Sequence, residues 1–400
     1  MSAYRILLAA ACVAFAVSIV AEEPGLKRGF DATKLYDFGT IDSVNTFNGN
    51  LTLRIPLGPA YSVRGGLSYA LTLTYNSKVW DYEERTGVPR AIPSRHSNAG
   101  LGWTLTLGKM IAANDMANDV YGHWQYGAGD GGLHIANEAL HPGATVTSGV
   151  HYTTDGSYLR VTSTSNLSGT SAVEAPDGTV HHFAADGNLS SINDRSGDSI
   201  TVDYLTSMTG TPCPANDVWA WRIRDSENAR TNWVCFQDNG YSESVYNDLS
   251  VERIVLAAPP ASVGGAVRSA SYQFTYSVPS IARGCHSQVQ NDPTSLAIPT
   301  LSGLFLPDGS AYGFTYNTTG NAGCNQGTLA SARLPTGALL TYEYAYFPLP
   351  TEQCARLRWN SNIVGVGSRT ISGPRLPTAT WTYTRSFTAP ANMTVLCDTN

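Results

Sequence analysis

The side chains with which this chain could do chemistry are its cysteines, histidines and acids. Cys12 lies in an apolar run at the start. The other cysteines, Cys213, Cys235, Cys285, Cys324, Cys354 and Cys397, are even in number, which suits disulfides formed in an oxidising compartment. None stands in a Cys-x-x-Cys, and no histidine pair has zinc-site spacing, so metal ligation by these sulfurs is not expected. Connectivity does not follow from spacing alone. Pairing in chain order would join Cys213 to Cys235, Cys285 to Cys324 and Cys354 to Cys397, stapling three successive loops.

His181 and His182 suggest a metal site or a general base only until their adjacency is considered. Neighbouring strand residues point to opposite faces, so the expectation is one ring in and one out. Paired carboxylates for glycoside hydrolysis would need to face each other across roughly 5–10 Å. Asp115, Asp119 and Asp130 lie near Trp124 and Tyr126, and Asp194 lies near Asp198 and Asp203. Most of these acids flank Gly or Asn, where an Asp side chain bonds its own backbone in a turn, so turn roles are expected. Asn193, Asp194 and Asp198 fall short of the ligand count of a calcium loop. A Gly-x-Ser-x-Gly elbow, a P-loop, a His-Glu-x-x-His helix and an Asp-Thr/Ser-Gly site are all missing. The expectation is a protein without catalytic, cofactor-binding or metal residues.

The elements that carry these residues read as strands. Leu51, Leu53, Ile55 and Leu57 alternate with Thr52, Arg54 and Pro56, and Tyr69, Leu71, Leu73 and Tyr75 alternate with Ala70, Thr72 and Thr74. The same period of two returns at Trp103-Leu105-Leu107, Tyr272-Phe274-Tyr276, Tyr312-Phe314-Tyr316, Leu340-Tyr342-Tyr344 and Trp381-Tyr383. Asn48-Gly49, Asp155-Gly156, Asp177-Gly178, Asp186-Gly187 and Asp308-Gly309 supply hairpin turns between them. Composition agrees, since only 14% of residues are charged and Lys is confined to four positions, Lys27, Lys34, Lys78 and Lys109. A net charge of −6 argues against nucleic acid as a partner.

The first 21 residues have Arg5, then an apolar run from Ile6 to Val20, then Ala21 before Glu22-Glu23-Pro24. This is the layout of a secretory signal cleaved after Ala21. The run is shorter than the roughly 20 residues of a spanning helix, and Ala9 stands where a lipoprotein signal prefers Leu before Cys12. No later segment is apolar enough to cross a bilayer, so no membrane span is expected after cleavage.

One repeat is legible. Leu301, Leu304, Leu306, Pro307, Gly309, Phe314 and Tyr316 align with Leu329, Ala332, Leu334, Pro335, Gly337, Tyr342 and Tyr344 at a constant offset of 28. Such units bury their apolar faces by stacking on copies of themselves, which makes Leu301, Phe314, Tyr316, Leu329, Tyr342 and Tyr344 the expected repeat core. A looser copy has Phe183, Asp186-Gly187, Leu189, Ile192, Asp194, Gly197, Ile200 and Tyr204. That order resembles the tyrosine-aspartate (YD) repeat of the Rhs family of bacterial secreted and surface proteins. The stretches Asn48-Gly49-Asn50-Leu51-Thr52-Leu53, Gly65-Gly66-Leu67, Leu73-Thr74-Tyr75-Asn76 and Gly100-Leu101-Gly102-Trp103 are similar to the segment that precedes such repeats.

The resemblance implies an all-β fold, an antiparallel β-hairpin repeat array forming an open sheet or partial shell. The signal would occupy 1–21, an N-terminal β-rich region 22–165, and degenerate YD-like repeats 166–400. It further implies a secreted or cell-surface structural protein whose partners are the rest of a larger Rhs-type polypeptide, a toxin or effector cargo, or a cell-surface protein. The alternative is a carbohydrate- or protein-binding module, and an extracellular hydrolase ranks last. Asp292-Pro293 lacks the glycine of the family's self-cleaving Asp-Pro-x-Gly element, so no autoprotease is expected. The exported chain is expected to begin at Glu22, which mass spectrometry of the extracytoplasmic fraction reads directly; intact Met1 with free thiols would refute export.

Overall fold

In a computed structural model, residues 36–384 are described apart from 39–40, 47–48, 64–65, 86–87, 116–121, 130, 138, 140–146, 154, 227–229, 242–248, 259–267, 283–294, 320–324, 349–361 and 375. The signal segment, Asp119 and Asp130 therefore lie outside the described residues. So do Cys285, Cys324, Cys354 and Cys397.

All described regular structure is strand. A first sheet contains β1 (Tyr36–Phe38), β2 (Asp42–Asn45), β3 (Leu51–Ser62) and β4 (Ser68–Asn76). The hairpin β5 (Trp80–Arg85) and β6 (Val88–Pro93) stands apart, and β7 (Trp103–Leu105) completes the sheet in the order β1-β2-β3-β4-β7. The predicted alternation of β3 is realised, with Leu51, Leu53, Ile55 and Leu57 fully buried while Arg54 and Pro56 are exposed.

A second, much longer sheet opens with β8 (Gly108–Ile111), β9 (Trp124–Ala128), β10 (Leu133–Asn137), β11 (Val150–Thr153) and β12 (Arg160–Ser163). It continues through β13 (Ser171–Glu174), β14 (Val180–Phe183), β15 (Leu189–Asn193), β16 (Ser199–Leu205), β17 (Trp219–Asp225), β18 (Thr231–Asp238), β19 (Leu249–Ala258) and β20 (Arg268–Ser277). The small hairpin β21 (Ser280–Ala282) and β22 (Ser295–Ala297) is set aside. The sheet then resumes with β23 (Thr300–Phe305), β24 (Ala311–Tyr316), β25 (Leu329–Arg333), β26 (Leu339–Pro348), β27 (Asn362–Gly373) and β28 (Leu376–Thr382).

Within this sheet each strand pairs antiparallel with the next, β20 passing directly to β23. No ladder joins β28 to β8 among the described residues, so the array as a whole is open. It does curl locally: Lys109 of β8 bridges Asn188, and the Met110 amide donates to the Gly187 carbonyl at 2.9 Å. Gly187 has φ +78°, and a Cβ there would lie 2.0 Å from the Met110 carbonyl oxygen, so glycine is required on two counts.

The two sheets share one hydrophobic core, in which Leu51, Leu53, Leu71 and Leu73 join Leu256, Phe274, Leu301 and Leu329. Polar contacts fix how the layers meet. The Leu329 amide donates to the Tyr75 hydroxyl at 2.8 Å, the Leu101 amide to the Pro299 carbonyl at 2.9 Å, and Trp80 Nε1 to the Gln326 carbonyl at 2.8 Å. Gly100, with φ +88°, lets the chain pass so closely that a Cβ would sit 2.6 Å from the Leu301 nitrogen.

One link is ionic. Asp42 of β2, its side chain fully buried, receives Arg369 Nε at 2.6 Å on Oδ2 and Arg369 Nη2 at 2.8 Å on Oδ1, and the Tyr342 hydroxyl donates to Oδ2 at 2.9 Å. One residue expected inward is not: Trp381 of β28 is 39% exposed, with the Arg369 guanidinium 4.7 Å from its ring centroid. Tyr383, two residues on, still packs against the core. Asp42→Ala is expected to cost about 3–5 kcal/mol in urea unfolding because Arg369 is left charged and buried, whereas Asp42→Leu with Arg369→Met should cost far less. Equal losses in both variants would refute the pair as the cause.

Candidate functional site

The repeat tyrosines act through their hydroxyls. Tyr316 donates to the Leu301 carbonyl at 2.8 Å and Tyr344 to the Leu329 carbonyl at 3.1 Å, the same fifteen-residue reach in both. Tyr204 makes the same bond to Leu189 at 2.9 Å. The looser copy thus preserves the contact although its sequence has drifted. Leu301, Leu329, Phe314, Tyr342 and Tyr344 are buried, and Tyr316 is half-buried with its ring packed on the core.

Tyr316 has a second task. Trp103 Nε1 donates to its hydroxyl at 2.7 Å, so one phenol joins the first sheet to a strand carbonyl of the second. The indole lies between Tyr75 and Phe314, with centroids 5.1 and 4.7 Å away. Burial raises the Tyr344 phenol well above its ordinary range, with the nearby Tyr75 and Tyr342 adding to the shift, so it acts as a neutral donor.

Of the acids expected in turns, Asp194 is in one, as are the Asp-Gly aspartates, whereas Asp203 lies within strand β16. Asp177, Asp186 and Asp308 each accept from the amide two residues on, at 2.8, 3.0 and 2.9 Å, and Asp194 accepts from the Ser196 and Asp198 amides. Asp203 bonds Arg222 and Arg224 at 3.0 and 2.9 Å. His182 is exposed while His181 turns inward to the Tyr126 hydroxyl at 3.0 Å, and burial lowers the His181 pKa to about 4. A neutral imidazole packed on Tyr126 and Phe183 is a core residue.

The arrangement with most chemical potential was not singled out from sequence. Cys213 and Cys235 form a disulfide, as chain-order pairing expects, with Cα atoms 5.5 Å apart. Asp217, only 6% exposed, places a carboxylate oxygen within 4.8 Å of both sulfurs. Against it lies Glu252 of β19. The ladder pairs Phe236 with Val251 and Cys235 with Arg253, so Glu252 is the extra residue of a bulge, the local distortion that re-aims a side chain. Apart from Glu252, neither Asp217 oxygen meets a hydrogen-bonding partner. Burial, then the contact with Glu252, raise the Asp217 pKa to about 7, while Arg253 opposes weakly. The legible signal was a slip in β19, where Val251 and Ile254 are buried three apart instead of two or four.

No family model and no curated protein matches the chain. Among solved structures it is similar to the complex described as TcdB2-TccC3-Cdc42 and to TcdB2-TccC3, each at 12% identity and TM-score 0.34. Both alignments cover 76% of this chain, but the chain spans only 16% and 17% of theirs. It is also similar to the N-terminal domain of effector protein SpvB from Salmonella typhimurium, at 14% identity and TM-score 0.24, over 82% of this chain and 99% of that one. Superpositions at these scores fix neither a family nor a role.

Removing only the rung hydroxyl with Tyr344→Phe is expected to cost about 1 kcal/mol or somewhat more in urea unfolding, and Tyr344→Ala about 3–5 kcal/mol. An unchanged midpoint in both would show that the ring is not part of the core.

Proposed function

We propose that the chain is an exported, non-enzymatic β-array of Rhs type that forms a stretch of wall in a larger shell or cell-surface assembly. The carrying observation is the unbroken antiparallel ladder from β8 to β28, held at intervals by the same tyrosine rung. Such a ladder grows by adding hairpins, each completing the burial of the one before.

Its last strand supports growth beyond β28. Leu376 and Trp381 are 42% and 39% exposed, and no ladder lies on the far edge of β28 among the described residues. An exposed apolar edge of this kind pairs readily with another strand. In this reading residues 22–165 precede the repeats and 166–400 carry them. The partner is more of the same polypeptide, an enclosed toxin or effector, or a cell-surface protein.

A groove favours the second reading, a glycan- or protein-binding module. Thr162, Ser163, Thr164, Thr170, Ser171 and His182 line a shallow cleft of about 450 Å³ whose hydroxyls suit a polar ligand. Native mass spectrometry of the material purified from its source separates the two. The wall reading expects a particle or polypeptide far heavier than 42.7 kDa. A monomer of that mass retained on polysaccharide refutes it in favour of the module. Turnover of polysaccharide, ester or peptide substrates that is lost in Asp194→Asn refutes the non-enzymatic reading.

A further inference from the structure

We propose that Cys213–Cys235 is a reactive disulfide that exchanges with external dithiols, and that Asp217 with Glu252 supplies the proton the departing sulfur requires. The two sulfurs differ in access. Cys213 is 9% exposed and lies in the loop before β17, whereas Cys235 is fully buried in β18 against Ala220, Leu205 and Met208. An attacking thiolate therefore meets Cys213.

Attack forms a bond from the incoming sulfur to Cys213 Sγ and breaks the Cys213–Cys235 bond, whose electron pair passes to Cys235 Sγ. A thiolate in that apolar surround is strongly disfavoured, because a buried anion loses its hydration. Exchange is correspondingly slow unless the leaving sulfur is protonated as it departs. The Asp217 oxygen within 4.8 Å of both sulfurs is the group placed to do this. Its proton moves to Cys235 Sγ, and the acid pair is left anionic beside Arg253, which stands opposite Cys235 in the ladder. The second thiol of the reductant then attacks the mixed disulfide and leaves as a cyclic disulfide. Its proton goes to Cys213, and the proton shed by the first thiol returns to the acid pair through solvent. Two electrons and two protons have passed from the dithiol to the cysteines.

The bulge gives the pair its purpose. A lone Asp is ionised at neutral pH and has no proton to give. Burial and the neighbouring Glu252 raise the Asp217 carboxyl so that it holds a proton near neutral pH. Beyond Glu252 the Asp217 oxygens accept from no donor, whereas a merely structural acid would be expected to bond backbone amides, as Asp177 and Asp308 do.

The test follows reduction of this one pair in the full mature chain by dithiothreitol, using differential alkylation and mass spectrometry of the Cys213 and Cys235 peptides from pH 5.5 to 9. Per unit of reductant thiolate, the wild-type rate is expected to fall as pH rises through about 7, where Asp217 loses its proton. Asp217→Asn should react at least about tenfold more slowly at pH 6 and show no such break, the usual loss when a general acid is removed. Glu252→Gln should shift the break to lower pH. Circular dichroism checks that each variant folds, and Glu252→Gln alone decides the matter if Asp217→Asn does not. A wild-type rate strictly proportional to thiolate, or one unchanged in either variant, overturns the proposal.

Discussion

The buried Asp42 carboxylate is the constraint on which the two-layer arrangement depends. It belongs to the second strand of the first sheet, yet its partners Arg369 and Tyr342 belong to the last hairpins of the second, 327 and 300 residues away. An anion with no solvent contact is tolerated only with its charge paired and its lone pairs occupied, and here three donors occupy them. The first sheet therefore cannot slide along the ladder without stranding a charge on each side. Apolar burial drives the sheets together, but leucines on flat faces hold register weakly, and this ion pair selects one register from many.

Between those ends, the hydroxyl rungs do a related job without charge. A tyrosine in a hairpin array buries a large ring and carries one polar atom at its tip, which must find an acceptor. The Leu carbonyl fifteen residues earlier is at the right height, so Tyr204, Tyr316 and Tyr344 each tie together the two strands of one hairpin, β15–β16, β23–β24 and β25–β26. Where the first sheet passes over the ladder, Trp103 uses the same phenol as its acceptor. The Gly100-Leu101-Gly102-Trp103 stretch thus combines a backbone thin enough to approach Leu301 with an indole that reads the rung beneath.

Much of this was legible in the sequence for a physical reason. Period two reports which face is buried, and Gly after Asp or Asn reports where the chain must reverse. Gly49, Gly156, Gly178, Gly187 and Gly309, all in expected turns, have positive φ. The offset of 28 identified Leu301 and Leu329, Tyr316 and Tyr344, and the structure adds the atom each tyrosine reaches. What stayed hidden depends on chain segments far apart. Nothing near Asp42 announces Arg369, and period two does not tell that Trp381 stays exposed while Tyr383 packs against the core. Glu252 was hidden because a bulge breaks the periodicity by which strands are read.

Two of the buried acids among the described residues, Asp42 and Asp217, define opposite uses of the same chemistry. Asp42 is surrounded by donors that point at it, so its charge is paired and its environment resists change. Asp217 faces another carboxyl and two sulfurs, none of which donates to it unless a proton is present. A site left in that condition gains nothing for the fold over an apolar residue, since an incompletely satisfied polar pair is costlier than none. Its place beside a disulfide with one residue at 9% exposure and the other fully buried is accounted for by the proposed reactivity. The array is thus fixed at Asp42 and chemically labile at Asp217, and the labile centre lies in the loop between β16 and β17, where an opened disulfide frees the chain without undoing the ladder on either side.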